Sequence, residues 1–179
     1  MNLHSRRKFL NNIWNGCVGM GMTCVLPSCA RENVDVKSDL PIFDDVDICV
    51  LGGSCTGVFA AVRAARLGAT VAVVEKQNAF GGVATNSLVN VWHSLYDVGK
   101  TQRIIAGLTQ EVIDRLSERE AVERNPNPSS AYRLNSQELK IELDELVLES
   151  GIHPHLHTLF SAPFLDSEEN LTGVIVDGK

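Results

Sequence analysis

Short unbroken apolar runs alternate along this chain with stretches where apolar residues return every three or four positions. Ile48-Cys49-Val50-Leu51 is of the first kind and predicts a buried parallel strand. Ala60, Ala61, Ala64 and Ala65 then pair four apart, as along a helix, and Gly68 ends the pattern. Thr70–Val74 is a second apolar run, closed by the acidic Glu75. Ile104, Leu108, Val112 and Leu116, widened by Ile105 and Ile113, predict an amphipathic helix from about Thr101 to Glu120. Before it, Trp92, His93 and Tyr96 fall in a segment that reads as loop or short helix.

Asn125-Pro126-Asn127-Pro128-Ser129-Ser130 has no periodicity and reads as a loop. A further helix begins at Asn135 or Ser136, with Glu138 placed to close a capping box onto Asn135. Leu139, Leu143, Leu146 and Val147 form its apolar face, and Gly151 stops it. Ile152–Phe160 and Leu171–Val176 predict strands, and Asp177-Gly178 predicts a two-residue hairpin turn. A turn with no returning strand leaves an unpaired edge, so the pattern reads as the N-terminal part of a longer domain.

The first two runs and the helix between them join into a unit with chemistry. Gly52, Gly53 and Gly57 follow the first strand directly, and Glu75 closes the second. Gly52 allows a sharp turn, Gly57 allows close packing, and the helix N-terminus offers free N–H groups to a pyrophosphate. A carboxylate at the tip of the second strand can accept hydrogen bonds from ribose hydroxyls. This is a nucleotide-binding βαβ unit, with Ser54 where the fingerprint has its middle glycine. Serine is small and can donate a hydrogen bond, which makes the change tolerable. A glycine pair, Gly81-Gly82, follows a few residues beyond Glu75 and lets the backbone pass close to a second part of the cofactor.

Composition narrows the choice. At 179 residues the chain has room for one domain with a real core, and its net charge of −6 argues against nucleic acid or an anionic membrane as partner. No apolar run approaches the ~20 residues that span a bilayer. Residues 1–29 look like a leader. Arg6-Arg7-Lys8-Phe9-Leu10 resembles the twin-arginine export signal, and an uncharged, weakly apolar segment from Ile13 to Leu26 follows. Leu26-Pro27-Ser28-Cys29 resembles a bacterial lipobox, which makes Cys29 a candidate lipid anchor. Residues 30–45 form a polar linker, and 46–179 the domain. The expected location is periplasmic, or membrane-anchored as a lipoprotein.

Only Cys49 and Cys55 lie inside the domain. Cys49 reads as a small hydrophobe in a buried strand. Cys55 reads as a small turn residue, although a helix N-terminus can activate a thiol there. No cysteine motif suits an iron–sulfur cluster or structural zinc. His153, His155 and His157 alternate along one predicted strand, but alternate residues stand ~7 Å apart, too far to share an ion. Pro154 also disfavours an interior strand there, so no metal site is assigned. His93 is a candidate acid or base, because imidazole titrates near neutrality.

The Gly52–Glu75 unit with Gly81-Gly82 resembles the FAD-dependent oxidoreductases of the glutathione-reductase-like superfamily. GGVATNSLVNVWHSLYD followed by IIAGLTQEVIDRL is similar to one group of bacterial flavoproteins near the flavin-carrying component of heterodisulfide reductase. The resemblance runs from about Asp47 to the C-terminus. It implies an α/β, Rossmann-like FAD-binding domain, incomplete here, with helices inserted after the glycine motifs. It implies that Gly52, Gly53, Ser54, Cys55, Thr56 and Gly57 hold the pyrophosphate and Glu75 the ribose. Lys76 would lie beside the adenosine, and Gly82, Val83, Ala84 and Thr85 would pass towards the flavin. Related flavoproteins carry a 4Fe-4S cluster, for which this chain has no ligand motif. Neither substrate nor electron acceptor is legible. Two other readings stay open: an NAD(P)-binding oxidoreductase, which Gly81-Gly82 disfavours, and a non-catalytic exported lipoprotein domain, which Ser54 favours.

Overall fold

The computed structural model describes residues 40–124 and 131–178. The leader with Cys29, most of the linker and the loop predicted at 125–130 lie outside the described residues. Strand β1 (Ile48–Leu51) leads through the glycine turn into helix α1 (Cys55–Arg66) and back into β2 (Val71–Val74). The two strands are parallel, with Ile48 opposite Val71 and Leu51 opposite Val74. A third strand, β6 (His153–His155), joins the other side of β2, also in parallel. This is the expected Rossmann-like βαβ arrangement of α/β class.

The burial of the strands corrects one expectation. All of β2 is buried, because it has a strand on each side and helices over one face. β1 lies at the sheet's edge among the described residues, with Ile48, Cys49 and Leu51 exposed and only Val50 turned onto the core. The apolar run therefore signals a strand, while burial depends on neighbours the local pattern does not contain.

Helix α2 (Leu108–Glu118) is shorter than its periodicity predicted. Asp97 accepts hydrogen bonds from the N–H groups of Thr101 (2.8 Å) and Gln102 (3.0 Å), which fixes a turn there. Ile104 and Ile105 donate their N–H groups to the Leu95 carbonyl, and their side chains are exposed. Gly107, at φ +69°, begins the helix only after them. Helix α3 (Ser136–Glu149) matches its prediction, and Gly151 at φ +66° ends it. Only half of the capping box forms. The Asn135 side chain accepts from the N–H groups of Gln137 and Glu138, but the Asn135 N–H is taken by the Ala121 carbonyl at 2.8 Å. Val58, Ala61 and Val62 of α1, Val112, Ile113 and Leu116 of α2, and Leu139, Leu143 and Leu146 of α3 close the core over Val71 and Val73.

Three very short strands went unread in the sequence. β3 (Val91–Trp92), β5 (Tyr132–Leu134) and β4 (Val122–Arg124) form an antiparallel sheet in that order, so Trp92 lies in a strand rather than a loop or short helix. Two or three residues cannot display a period of two. The expected strand Ile152–Phe160 is broken by a turn at Leu156-His157, with His157 at φ +53°. Beyond it β7 (Thr158–Leu165) pairs antiparallel with β8 (Leu171–Gly178). Their turn is at 166–170, where Asp166 accepts from the N–H groups of Glu168 and Asn170. Asp177 and Gly178 lie inside the ladder, opposite Leu159 and Thr158, and are not a hairpin turn. β8 thus has its partner in β7, and no edge is left unpaired for want of a returning hairpin strand. Among the described residues no helix is long and apolar enough to cross a membrane.

Candidate functional site at the two glycine turns

The site is assembled at the C-terminal ends of β1 and β2. Gly52 leaves β1 at φ +104°, a conformation that favours glycine, while its N–H bonds the Val74 carbonyl at 2.8 Å. Gly57 is required for a different reason: a Cβ there would stand 1.9 Å from the Gly52 carbonyl oxygen. At Gly53 a Cβ would meet the buried Phe80 ring at 2.4 Å. Ser54 sits at φ −62° in extended backbone that any residue adopts, and its Oγ accepts the Gly57 N–H at 3.3 Å. The serine is therefore the N-cap of α1, a role glycine could fill only without the side-chain bond. The N–H groups of Cys55 and Thr56, in the first turn, have no acceptor inside the helix.

Glu75 is 8% exposed, and both carboxylate oxygens are engaged. Oε2 accepts the Gly53 N–H at 2.7 Å and Oε1 the Gln77 N–H at 2.8 Å. The acid therefore holds the glycine turn in shape, a role the ribose reading did not include. The second glycine pair belongs to the same platform. Gly81 donates its N–H to the Gly53 carbonyl at 2.8 Å, and Ser54 and Gly81 form a parallel bridge. The Cys55 thiol donates to the Gly81 carbonyl at 3.6 Å, and burial pushes its pKa up to about 11. It is a protonated hook at neutral pH, so the helix end does not activate it.

Gly82 follows at φ +54°, Val83 is exposed, and Ala84 and Thr85 turn inward. Thr85 is fully buried and donates to the Phe80 carbonyl at 2.6 Å, so its side chain fixes the loop. A cavity of about 230 Å³ adjoins the first turn, with Leu51, Gly52, Val74, Glu75 and Lys76 on one wall and Thr158–Phe160 of β7 on the other. The β7 wall is tied down by Thr158 N–H to the Glu75 carbonyl and His157 N–H to the Gln77 carbonyl, each at 3.0 Å. The sequence offered an apolar run at Thr158–Phe160 but no sign of where it docks. Phe80 was also missed, although its place directly before Gly81-Gly82 was a usable signal.

Not every candidate converges. His93 is exposed and lines neither this cavity nor a larger cleft of about 280 Å³ among Tyr96, Arg103, Gln110, Asp114 and Tyr132. Its neighbour Trp92 packs edge-on against Phe59 of α1, with ring centroids 6.3 Å apart. The larger cleft contains none of the glycine-turn residues, and the smaller one adjoins Gly52 and Glu75. His153 and His155 do share a face, but a single carboxylate holds them: Asp44 Oδ1 lies 2.7 Å from His153 Nδ1 and Oδ2 2.5 Å from His155 Nε2. The bonds from His155 and then His153 keep Asp44 below the usual carboxylate range. Among the described residues no group of three or more His, Cys, Asp or Glu is arranged to hold a metal.

Comparison with known proteins extends this geometry. Residues 47–179 match the family described as FAD dependent oxidoreductase. A dihydrolipoyl dehydrogenase of Trypanosoma brucei brucei is 39% identical over 64 residues, 32% of this chain and 13% of that protein. Among solved structures, THI4 of Thermovibrio ammonificans superposes with a TM-score of 0.53 at 16% identity, over 74% of this chain and 48% of the other. The 3-ketosteroid-delta4-(5alpha)-dehydrogenase of Rhodococcus jostii RHA1 gives 0.53 at 13% identity, over 79% and 44%. At these identities the two structures speak to fold alone. The chain spans about half, or less, of the length of these relatives.

Proposed function

This chain belongs to the FAD dependent oxidoreductase family, and from that premise we propose that its two glycine turns hold the pyrophosphate and adenosine of FAD in an exported flavoenzyme. The observation that carries the reading is the single platform made by Gly52–Gly57 and Gly81-Gly82, bonded to each other and braced by Glu75. Gly57 and Gly53, where a Cβ would meet the Gly52 carbonyl and the Phe80 ring, let the turn fold tightly beneath the N-terminus of α1. The open N–H groups of Cys55 and Thr56 and the helix dipole suit two negative charges there. Glu75 keeps lone pairs for ribose hydroxyls, and the cavity beside it, lined by Lys76 and β7, is where the adenosine would lie.

When bound, the flavin supplies the hydride- or electron-accepting chemistry, and the protein supplies position and electrostatics. The residues of this chain bind and orient it: Ser54 caps the helix that faces the phosphates, and Glu75 fixes the turn. Gly82–Thr85 is the segment we read as leading to the flavin end. The Leu88–Asp97 stretch supports placing the enzyme near the flavoproteins of the heterodisulfide reductase group, and Arg6-Arg7 supports export. The test is the cofactor of the purified full-length protein. One FAD per chain, identified by visible absorbance and by mass after release, is the expected result. NAD(P) or no nucleotide overturns the reading.

A further inference from the structure

Helix α3 enters the site through one hydroxyl. Ser136, its first residue, is 7% exposed, and its Oγ donates to the Ala84 carbonyl at 2.9 Å. Ala84 belongs to the loop that follows the second glycine pair, and its own N–H returns to the Gly81 carbonyl at 3.2 Å. The same helix meets the loop a second time, where a Cβ on Gly81 would lie 3.0 Å from Leu143 Cδ1. On its other side the loop has little slack: a Cβ on Gly82 would stand 3.4 Å from the Ser54 side chain. The loop is therefore held between α3 and the cap of α1, and Ser136 makes the side-chain hydrogen bond from the α3 side. A buried carbonyl deprived of its donor must admit water or move towards one.

We propose that Ser136 is a positioning residue for FAD, setting the height of the Gly82–Thr85 segment above the phosphate turn. This rests on the FAD reading above and goes beyond it, because Ser136 lies far along the sequence from both glycine motifs and would act on the cofactor only through the loop that holds Ala84. Thr85 acts from inside the same loop through its bond to Phe80, whereas Ser136 couples the loop to a separate helix.

The experiment is FAD titration of the full-length apoprotein, by flavin fluorescence, together with thermal melting and visible circular dichroism of the bound flavin. Ser136→Ala should weaken FAD binding about fivefold, the effect of one buried hydrogen bond, and alter the dichroism. Ser136→Thr keeps the donor and should stay within about twofold of wild type on the same reasoning. Leu146→Ala removes a fully buried side chain further along α3 and should lower the melting temperature while leaving FAD affinity unchanged. Ser136→Ala binding like wild type overturns the proposal. So does Ser136→Thr failing like alanine, or Leu146→Ala weakening FAD to the same degree, since either would mean only general stability is at work. A wild-type protein that takes up no FAD instead overturns the reading on which the proposal rests.

Discussion

Glu75 braces the glycine turn and, in the proposed site, would serve the ribose as well. Its carboxylate closes the glycine turn by accepting from Gly53 and Gln77, and it stands where ribose hydroxyls would donate to it. Removing it should therefore harm the empty site as well as the filled one. Glu75→Ala is expected to weaken FAD binding by ~1.5–3 kcal/mol, the range for hydrogen bonds to a charged group, and also to lower the melting temperature of the apoprotein. Flavin content equal to wild type would remove the residue from the site. Gly52, Gly57 and Glu75 were legible because backbone sterics and helix-end electrostatics demand those residue types at those places. The bonds of the Cys55 thiol to the Gly81 carbonyl and of the Thr85 hydroxyl to the Phe80 carbonyl were not legible, because they depend on how the second glycine loop docks on the first.

At the scale of elements, the seam between α2 and α3 is built around a buried acid. Glu142 is fully buried, 2.5 Å from Arg115 Nε and 3.4 Å from Arg119. These contacts are charge pairing rather than aligned hydrogen bonds. Arg115 also holds Glu149, and Glu111 holds Arg66 of α1, so one charged network spans three helices. Burial raises the Glu142 carboxyl above its ordinary range, with Arg115 and then Arg119 opposing. A carboxylate with a raised folded-state pKa costs nothing below its unfolded value and its full penalty above the folded one. Arg115→Ala removes the larger opposing charge, so it should destabilise by about 3 kcal/mol at neutral pH. That deficit should shrink on acidification as Glu142 protonates in its raised range. The loss of partners for Glu111 and Glu149, both held low by arginines, changes in the same direction. Denaturant unfolding at several pH values measures this, and a deficit independent of pH would contradict it.

The same scale shows where sequence reasoning stops. α1 and α3 were readable because a dozen residues display a period of 3.6 and end in glycines at positive φ. The start of α2 was misplaced because Ile104 and Ile105 keep the helical rhythm, while Asp97 and Gly107 impose a turn the rhythm cannot register. Asp177-Gly178 misled because a turn dipeptide also fits inside a ladder when another segment, here 166–170, supplies the turn.

For the whole molecule, export and cofactor use are separate claims. The twin arginines predict that Arg6→Lys with Arg7→Lys leaves the precursor in the cytoplasm with its leader attached. Mature protein beyond the inner membrane would show the leader misread, and absence of palmitate label on the wild type would remove Cys29 as an anchor. The central claim is spatial: the first turn of α1 faces the FAD pyrophosphate, and the adenosine lies between Glu75-Lys76 and β7. A crystal structure of the flavin-loaded full-length protein tests it most directly. The account predicts pyrophosphate oxygens within hydrogen-bond reach of the Cys55 and Thr56 N–H groups, and adenosine against Thr158–Phe160. Adenosine seated in the Tyr96–Tyr132 cleft, with the glycine turns left empty, would contradict it.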